Sequence, residues 1–479
     1  MATLVWFRRD LRLADNPALA AAAAADAPVV PVYIHAPDEE AEWQPGAASR
    51  WWLHQSLERL HAKLRACGSQ LSIRASAHAL AALRALIRES GATRVVWNRC
   101  YEPAAVTRDR AVKQALREDG IEVASYGGAL LHEPWAVRTR GGDPFQVFTP
   151  YWRQCQSLED PSEPLPAPRA LRAPAAWPPS QTLASLELLP KLRWSEGIAA
   201  AFTPGSDAAH AKLEHFLAEA FDEYGSRRDQ PGTDGTSRLS PHLHFGEIGP
   251  REIWHATRRF AEHRGRHSWR DSQFITELGW REFAHHLLYH FPNTPSQPLR
   301  ASFAQFPWRA DPRALEAWSR GMTGYPIVDA GMRELWHTGW MHNRVRMIAA
   351  SFLVKDLLLS WSLGARWFWD TLVDADLAAN TLGWQWVAGC GADAAPFFRI
   401  FNPVSQGQRF DPDGRYIRRW VPELGGLPNR WIHEPGAAPP SVLDEAGITL
   451  GKSYPSPIVD HAVARRAALE AFKRIGPRR

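Results

Sequence analysis

The sequence lacks paired cysteines. Its four, Cys67, Cys100, Cys155 and Cys390, stand far apart with no CxxC or CxH spacing, which excludes a disulfide scaffold and a zinc module and leaves ordinary buried thiols. Long apolar runs are missing as well. No stretch approaches a membrane span, and the opening MATLVWFRRDLRL puts arginines and an aspartate where a secretory leader needs unbroken apolar residues. A cytoplasmic protein with no membrane partner is expected. Charge of one sign is also scarce: the net charge is +5, so any nucleic-acid surface must be a patch assembled by folding. The basic end RRAALEAFKRIGPRR reads as a solvated amphipathic helix end. Tyrosine is rare, 9 residues against 23 tryptophans, an imbalance that points to electronic work for some of the indoles.

What is present is a globular composition. At 479 residues, 45% hydrophobic and 22% charged, the chain is long enough for two or more domains with sizeable cores. Residues 1–130 alternate short β-branched or aromatic runs (Leu4–Phe7, Val29–Ile34, Leu71–Ile73, Arg94–Trp97, Ile121–Ala124) with helical stretches (Pro17–Ala25, Ala47–Cys67, His78–Glu89, Ala104–Asp119). This pattern predicts an α/β domain with a doubly wound parallel, Rossmann-like sheet. The first strand is followed by RRDLRLADNP in place of GxGxxG, so a nicotinamide enzyme is disfavoured.

Residues 131–203 loosen into a linker punctuated by Pro161, Pro164, Pro166, Pro168, Pro174, Pro178 and Pro179. From 204 to 479 strand-like alternation disappears. Long periodic segments (Ala208–Phe221, Ile253–Glu262, Trp269–Tyr289, Ala314–Arg320, Ala330–Thr338, Asn343–Trp361) predict an all-helical domain. Within it, GTSRLSPHLHFGEI looks like a helix start with Ser240 as N-cap and Pro241 in the first turn. Thr236, Ser237 and Arg238 precede it, a set able to receive a diphosphate; a plain capped helix reads equally well.

The stretch that organises the chain is TLVDADLAANTLGWQWVAGCGADAAPFFRIFNP, Thr371 to Pro403. Asp374, Asp376 and Asn380 sit there among Leu372, Val373, Leu377, Trp384 and Trp386. Buried carboxylates need cations or donors, which Arg344 and Arg346 in MHNRVRM, or a flat polar heterocycle, would supply. Two blander readings stand beside it: Asp374 capping a helix while the tryptophans fill core, or two aspartates ligating a metal. The second lacks histidines to complete a soft-metal set, and no metal is expected.

VWFRRDLRLADNPAL, DGTSRLSPHLHFGE, GYPIVDAGMREL, TGWMHNRVRMIAASFLVKDLL and DADLAANTLGWQW occur in that order across nearly the whole chain. Together they resemble the photolyase/cryptochrome family, and within it the bacterial class I cyclobutane pyrimidine dimer photolyases. The resemblance implies FAD, folded into a U and active as FADH⁻, in the helical domain. It further implies blue-light repair, in which an electron passes to a flipped-out dimer in UV-damaged DNA and then returns.

Carried over by position, the resemblance implies phosphate-side contacts from Tyr224, Thr236, Ser237, Arg238, Leu239 and Ser240. Around the isoalloxazine it implies Phe274, Trp340, Arg346, Asp374 and Asp376, with Asn380 facing flavin N5. A neutral amide there can hydrogen-bond without forcing protonation, which favours repair over signalling. Glu277 and Asn343 match groups touching both the cofactor side and the lesion, Met347 pads the pocket, and Trp280 and Trp386 match its aromatic walls. Without the resemblance, Glu277 would read as an ion-pair partner of Arg281. Trp384, Trp361 and Trp308 match the proximal, middle and surface members of an electron relay; in that context Trp336 and Trp340 read as packing. Arg228, Arg281, Arg344 and Arg399 match phosphate contacts, each with a surface or intramolecular ion pair as its plain alternative. His342 reads as structural.

Several positions depart from the pattern. Gly279 stands where relatives often have a larger apolar residue, and Phe274 where some have tryptophan. The crevice stretch NRCYEPAAVTRDR lacks the Asn-Glu pair of folate-binding relatives, leaving Asn98 and Glu102 as candidates for an antenna site that a folate, a deazaflavin, another flavin or nothing occupies. Asn343 and Met347 replace the histidine pair of six-four photolyases, which sends the expected substrate to cyclobutane dimers. The alternatives are a six-four photolyase or a cryptochrome-like photoreceptor, the latter expected to carry more chain after about Ser453. A flavin oxidoreductase has no visible nicotinamide site. Nothing in the sequence demands a dimer, and a monomer is expected.

Overall fold

The structure is a computed structural model, and residues 2–393 and 398–475 are described. Five parallel strands, β1 (Ala2–Phe7), β2 (Val29–His35), β3 (Ser72–Ala75), β4 (Ala92–Asn98) and β5 (Glu122–Tyr126), pair in the order β3-β2-β1-β4-β5. The crossovers are α1 (Pro17–Ala23), α2 (Ala47–Ala66), α3 (Ala79–Ser90) and α4 (Pro103–Glu118). Every residue of β1 is buried, as expected for a central strand covered on both faces by crossover helices. The doubly wound sheet is therefore as the sequence predicts, with strand ends shifted by a residue or two. Chain order reverses at β1 and β4, so their carboxyl ends open a crevice, the usual place for a ligand in such sheets.

The linker is laid over both neighbours. Leu171 and Gln181 donate backbone hydrogen bonds to Cys67 and Ile73 in the α/β domain. It also holds two helices the sequence did not announce, α5 (Phe148–Gln156) and α6 (Glu196–Ala201). Arg12, 1% exposed, fastens the domains together by donating to the carbonyls of Asp15, Gly128 and Gly246.

The rest is helical. First come α7 (Ser206–Glu219), α8 (Tyr224–Arg227), α9 (Ser240–His244), α10 (Pro250–His263), α11 (Gln273–His290), α12 (Pro312–Ser319) and α13 (Pro326–Thr338). Then follow α14 (Asn343–Ser351), α15 (Trp361–Thr371), α16 (Leu377–Ala388), α17 (Pro403–Phe410), α18 (Arg415–Trp420), α19 (Asn429–Ile432), α20 (Pro440–Glu445) and α21 (His461–Ile475). The expected single helix from Asn343 to Trp361 is broken. A π-helical turn over Phe352–Asp356 ends it, Leu358 takes a left-handed φ of 55°, and Ser360 caps α15 afresh. Beyond Ser453 the chain still adds α21, whose Ala464, Ala468 and Ala471 are buried, so that end is docked more firmly than a solvated tail. Among the described residues, no helix is long and apolar enough to cross a membrane.

Candidate functional site

The site begins where α15 ends. Leu372 is extended after the last turn, and Asp376, also extended, caps α16 by accepting from Ala379 N at 2.9 Å. A carboxylate in that position satisfies an orphan N–H and meets the positive end of the helix. The helix cap is thus Asp376 and not Asp374. Asp374, 7% exposed, instead takes a charge-assisted pair from Arg346 Nη2 at 2.8 and 3.1 Å, so the buried carboxylate has the cation it requires.

Asn343, Arg346, Met347, Asp374, Asp376, Asn380 and Trp384 line one cavity, with Ala350, Phe368 and Val387 as apolar wall. Their elements explain the convergence: α14 and α16 pack together, and α15 closes the side. Asn380 is held by its amide, which donates to Ala365 O at 3.1 Å. Polar groups at the edges and apolar walls between them suit a flat heterocycle with donors and acceptors on its rim. The donor set therefore fits a flavin.

The TSRLS turn meets this cavity differently from expectation. Leu239 occupies the cap position, and Ser240 is already the first residue of α9. Its hydroxyl is used elsewhere, donating to Asp374 Oδ2 at 2.6 Å while accepting from Trp340 Nε1 at 3.3 Å. At five residues α9 carries little macrodipole, so an anion there would rely on hydroxyls and Arg238. Arg238 adopts a left-handed φ of 49° and lies 4.7 Å above the Trp340 ring, which Arg346 flanks at 5.8 Å. Trp340 is thus a clamp between the two arginines as well as packing.

Comparison with known proteins agrees with this geometry. Residues 3–169 match the family model described as DNA photolyase, and residues 274–474 match the FAD binding domain of DNA photolyase. The chain is 51% identical over 470 residues to the deoxyribodipyrimidine photo-lyase of Agrobacterium fabrum, covering 98% of this chain and 97% of the relative. The chain belongs to the DNA photolyase/cryptochrome family. It is also 43% identical to Cryptochrome-2 of Arabidopsis thaliana, covering 98% of this chain and 79% of that one. The crystal structure of a bacterial class III photolyase from Agrobacterium tumefaciens superposes with a TM-score of 0.95 at 50% identity, covering 99% and 97% of the two chains. The motifs suggested class I; this neighbour is described as class III.

In this photolyase-family chain the tryptophans expected to form a relay lie on α16 (Trp384), at the start of α15 (Trp361) and just before α12 (Trp308). Trp384 is 2% exposed and meets Phe368 and Trp318 edge-on, with centroids 5.0 and 6.2 Å away. Gly364 lets α15 press directly on the Trp384 ring, one turn after the buried Trp361. Trp308, half-buried, lies against Phe306, and the next residue, Arg309, donates to Leu358 O at 2.8 Å, just before Trp361. Trp318 was not singled out from sequence, since nothing in its local pattern distinguishes it from core. Trp336 is 62% exposed and stacked on Trp367.

A second group gathers at the start of α11. Phe274 packs against Phe216, Phe221 and Tyr224, and Arg228 lies 5.8 Å over the Tyr224 ring. Arg228 also pairs with Glu277, which Gln273 supports at 2.7 Å; the ion pair expected with Arg281 does not form. Arg281 is a correction. It turns to the domain boundary, donating to Ala129 O at 2.7 Å, with Glu282 3.6 Å away. A guanidinium engaged there helps fix the domain boundary.

Arg344 pairs with Asp229 through two hydrogen bonds of 3.2 and 2.7 Å and sits over Phe410. Trp280 has one face covered by Phe148, stacked at 3.8 Å. A Cβ on Gly279 would lie 2.7 Å from the Trp152 ring, which explains the small residue at that departure from the family pattern. Trp386 borders a cleft shared with Phe398 and the exposed Arg399; residues 394–397 of the central stretch are outside the described residues. His342 is structural as expected, accepting from Arg344 N, and burial pushes it down to about 4.

Asn98 is a second correction. It is 3% exposed and fully engaged with Asp10, Asn16 and Ala18, which leaves it no group for an antenna ligand. Glu102 does line the crevice at the strand ends, paired with Arg9. Sequence reading missed Arg9, His244 and His285, all gathered near Asp376; for the two histidines the only signal was an imidazole within otherwise apolar helical patterns, and nothing local set Arg9 apart.

Proposed function

We propose that the chain repairs cyclobutane pyrimidine dimers in UV-damaged DNA under blue light, as a deoxyribodipyrimidine photo-lyase holding FAD. The observation that carries this reading is the cavity in which Arg346, Asp374, Asp376 and neutral Asn380 ring an apolar slot beside Trp384. Reduced FAD, when bound and excited, supplies the electron that opens the dimer. The chain's own residues bind, orient and exclude water. Arg346 is fixed by Met341 O and Asp374, so its charge is pre-organised and costs little to place. Asn380 is oriented through its NH₂, and Met347 with Ala350 keeps the slot dry.

DNA binding falls to Arg228, Arg344 and Arg399, with the face of Trp280 away from Phe148 and the edge of Trp386 receiving flipped-out bases. Unstacking a damaged pair costs less than unstacking an intact one, which supplies part of the discrimination. Glu277, held by Arg228 and Gln273, is placed to meet the base edges; Asn343 lies on the cavity side. Trp384, Trp361 and Trp308 carry the electron inward when oxidised cofactor is photoreduced. A second chromophore, flavin, deazaflavin or folate, is assigned to the interdomain crevice, where Trp6, Tyr33 and Arg108 offer flat apolar and cationic surface beside Glu102.

The deciding experiment is blue-light repair of a thymine-dimer oligonucleotide by purified, reduced protein, followed by thymine absorbance against a dark control. Light-dependent recovery supports the reading, and the same sample's spectrum identifies the second chromophore. The likeness to a plant cryptochrome favours a photoreceptor as the second reading. Bound, reduced FAD without repair of this lesion would move the weight there, or to a six-four lesion.

A further inference from the structure

Asp376 has two faces. Its Oδ1 caps α16, on the wall of the flavin cavity, while its Oδ2 looks away from α16 toward two buried imidazoles, His285 Nε2 at 3.5 Å and His244 Nδ1 at 3.6 Å. The proton count there is set by hydrogen bonding. His285 Nδ1 lies 3.0 Å from the Arg281 carbonyl, which can only accept, so Nδ1 carries a hydrogen. The remaining nitrogen, Nε2, faces a carboxylate. Two acceptors would oppose each other in a dry site unless one proton is shared between them.

We propose that His285 and Asp376 together hold one exchangeable proton for the flavin cavity, refilled from solvent through the interdomain crevice. A narrow cavity bounded by Arg9, Glu102, Tyr101, His244, His285 and Asp376 provides the route. It shares Arg9, Glu102 and His244 with the solvent-open crevice, and it shares Asp376 with the flavin cavity. His244 is 7% exposed, and its Nδ1, 3.6 Å from Asp376 Oδ2, makes no hydrogen bond of normal length among the described residues, so a weakly held polar atom borders this route.

The groups facing His285 come from every neighbouring element. They are Arg281 and Glu282 on its own helix, Asp376 from α16, Glu102 from α4, the Tyr101 ring edge-on at 6.4 Å, and Arg9 with His244 beyond. Burial pulls the His285 imidazole down, but the Asp376 charge and its other partners outweigh this and leave it raised. Burial pushes Asp376 up, and His285 and His244 more than reverse that, holding it well below the usual carboxylate range. His244, lowered chiefly by burial, stays neutral. The resting pair is imidazolium and carboxylate.

Added negative charge in the flavin cavity makes the Asp376 carboxylate less favourable there. The proton on His285 Nε2 then moves to Asp376 Oδ2, and His285 takes another from solvent. One proton enters for each charge compensated, and the reverse transfer releases it.

This rests on the FAD reading, and the test separates the two. Purified holoprotein is photoreduced in weak buffer with an indicator dye, while the flavin spectrum reports cofactor content and reduction. His285→Gln and His285→Arg are compared with the parent, and the flavin midpoint potential is followed against pH. Both variants are expected to take up about one proton fewer per reduced flavin. His285→Arg, with a fixed cation, is expected to keep the parent potential near neutral pH and lose its pH dependence; His285→Gln is expected to shift the potential itself. Parent-like proton uptake and pH dependence in the arginine variant would overturn the proposal, even if the glutamine variant folds poorly. A parent protein with no flavin spectrum would overturn the FAD reading instead.

Discussion

Arg228 is ion-paired with Glu277, joining the side chain assigned to the DNA backbone to the one assigned to the lesion. Their side chains are 19% and 28% exposed, so the pair sits where solvent screens it only partly. Phosphate engagement by Arg228 must therefore loosen its hold on Glu277, linking backbone binding to the freedom of the lesion-facing carboxyl group. Arg228→Ala is expected to weaken binding to damaged and intact DNA alike and to reduce the slope of log affinity against log salt by about 1. Equilibrium binding at several salt concentrations checks this; an unchanged slope would remove Arg228 from the phosphate contacts.

Trp384→Phe should block photoreduction of oxidised flavin and leave repair by chemically reduced protein intact. Phenylalanine preserves edge contacts to Phe368 and Trp318 but is far harder to oxidise than indole. Flash or steady-state illumination of the oxidised holoprotein provides the measurement. Normal photoreduction would take Trp384 out of the relay.

Trp280→Ala should weaken binding to damaged DNA by about 1–3 kcal/mol, the worth of one base–aromatic stack, with a smaller effect on intact DNA. The variant also loses the stack on Phe148, so thermal stability must be measured beside affinity. Equal losses on both DNAs would show that the residue only packs.

Acid should destabilise the fold before the carboxylates titrate. Burial pushes His286, His342 and His433 down to about 4. Between about 6.5 and about 4 the unfolded chain binds protons at these positions and the folded chain does not, so stability falls as pH drops through that window and is fully present above it. Each group contributes a slope of up to about 1.4 kcal/mol per pH unit. His285, raised in the folded state, acts in the opposite sense: its contribution is fully present below about 6.5 and is lost as pH rises through the folded value. Denaturation midpoints at pH 7.0 and 5.0, chosen as about the two sides of the upper edge, test the sign. His342→Asn should shrink the difference.

The local patterns carried far. The run Val29–Ile34 reads as a buried strand because its residues are β-branched and apolar without alternation, and β2 forms there. The heavy use of Asp374, Asp376 and Asn380 in an apolar stretch marked a site, since buried charge is too costly to leave without purpose. Helix breaks were less legible. The π-turn after Ser351 and the left-handed Leu358 interrupt a stretch whose apolar periodicity runs on unbroken, so periodicity does not encode them.

By itself the sequence determined the two kinds of domain, the proline-rich strap between them, and the cluster of carboxylates, amide and indoles that calls for a flavin-like ligand. Those follow from local periodicity, turn chemistry and the cost of burying charge, all properties of neighbouring residues. Only the tertiary structure decided which charge answers which. Arg346 goes to Asp374, Arg344 to Asp229, Arg228 to Glu277, Arg281 to the domain boundary, and His285 to Asp376. The last pair is separated by about a third of the helical domain in sequence. Electrostatic partnership depends on distances of a few ångströms between side chains, and those distances are fixed by helix packing and not by spacing along the chain.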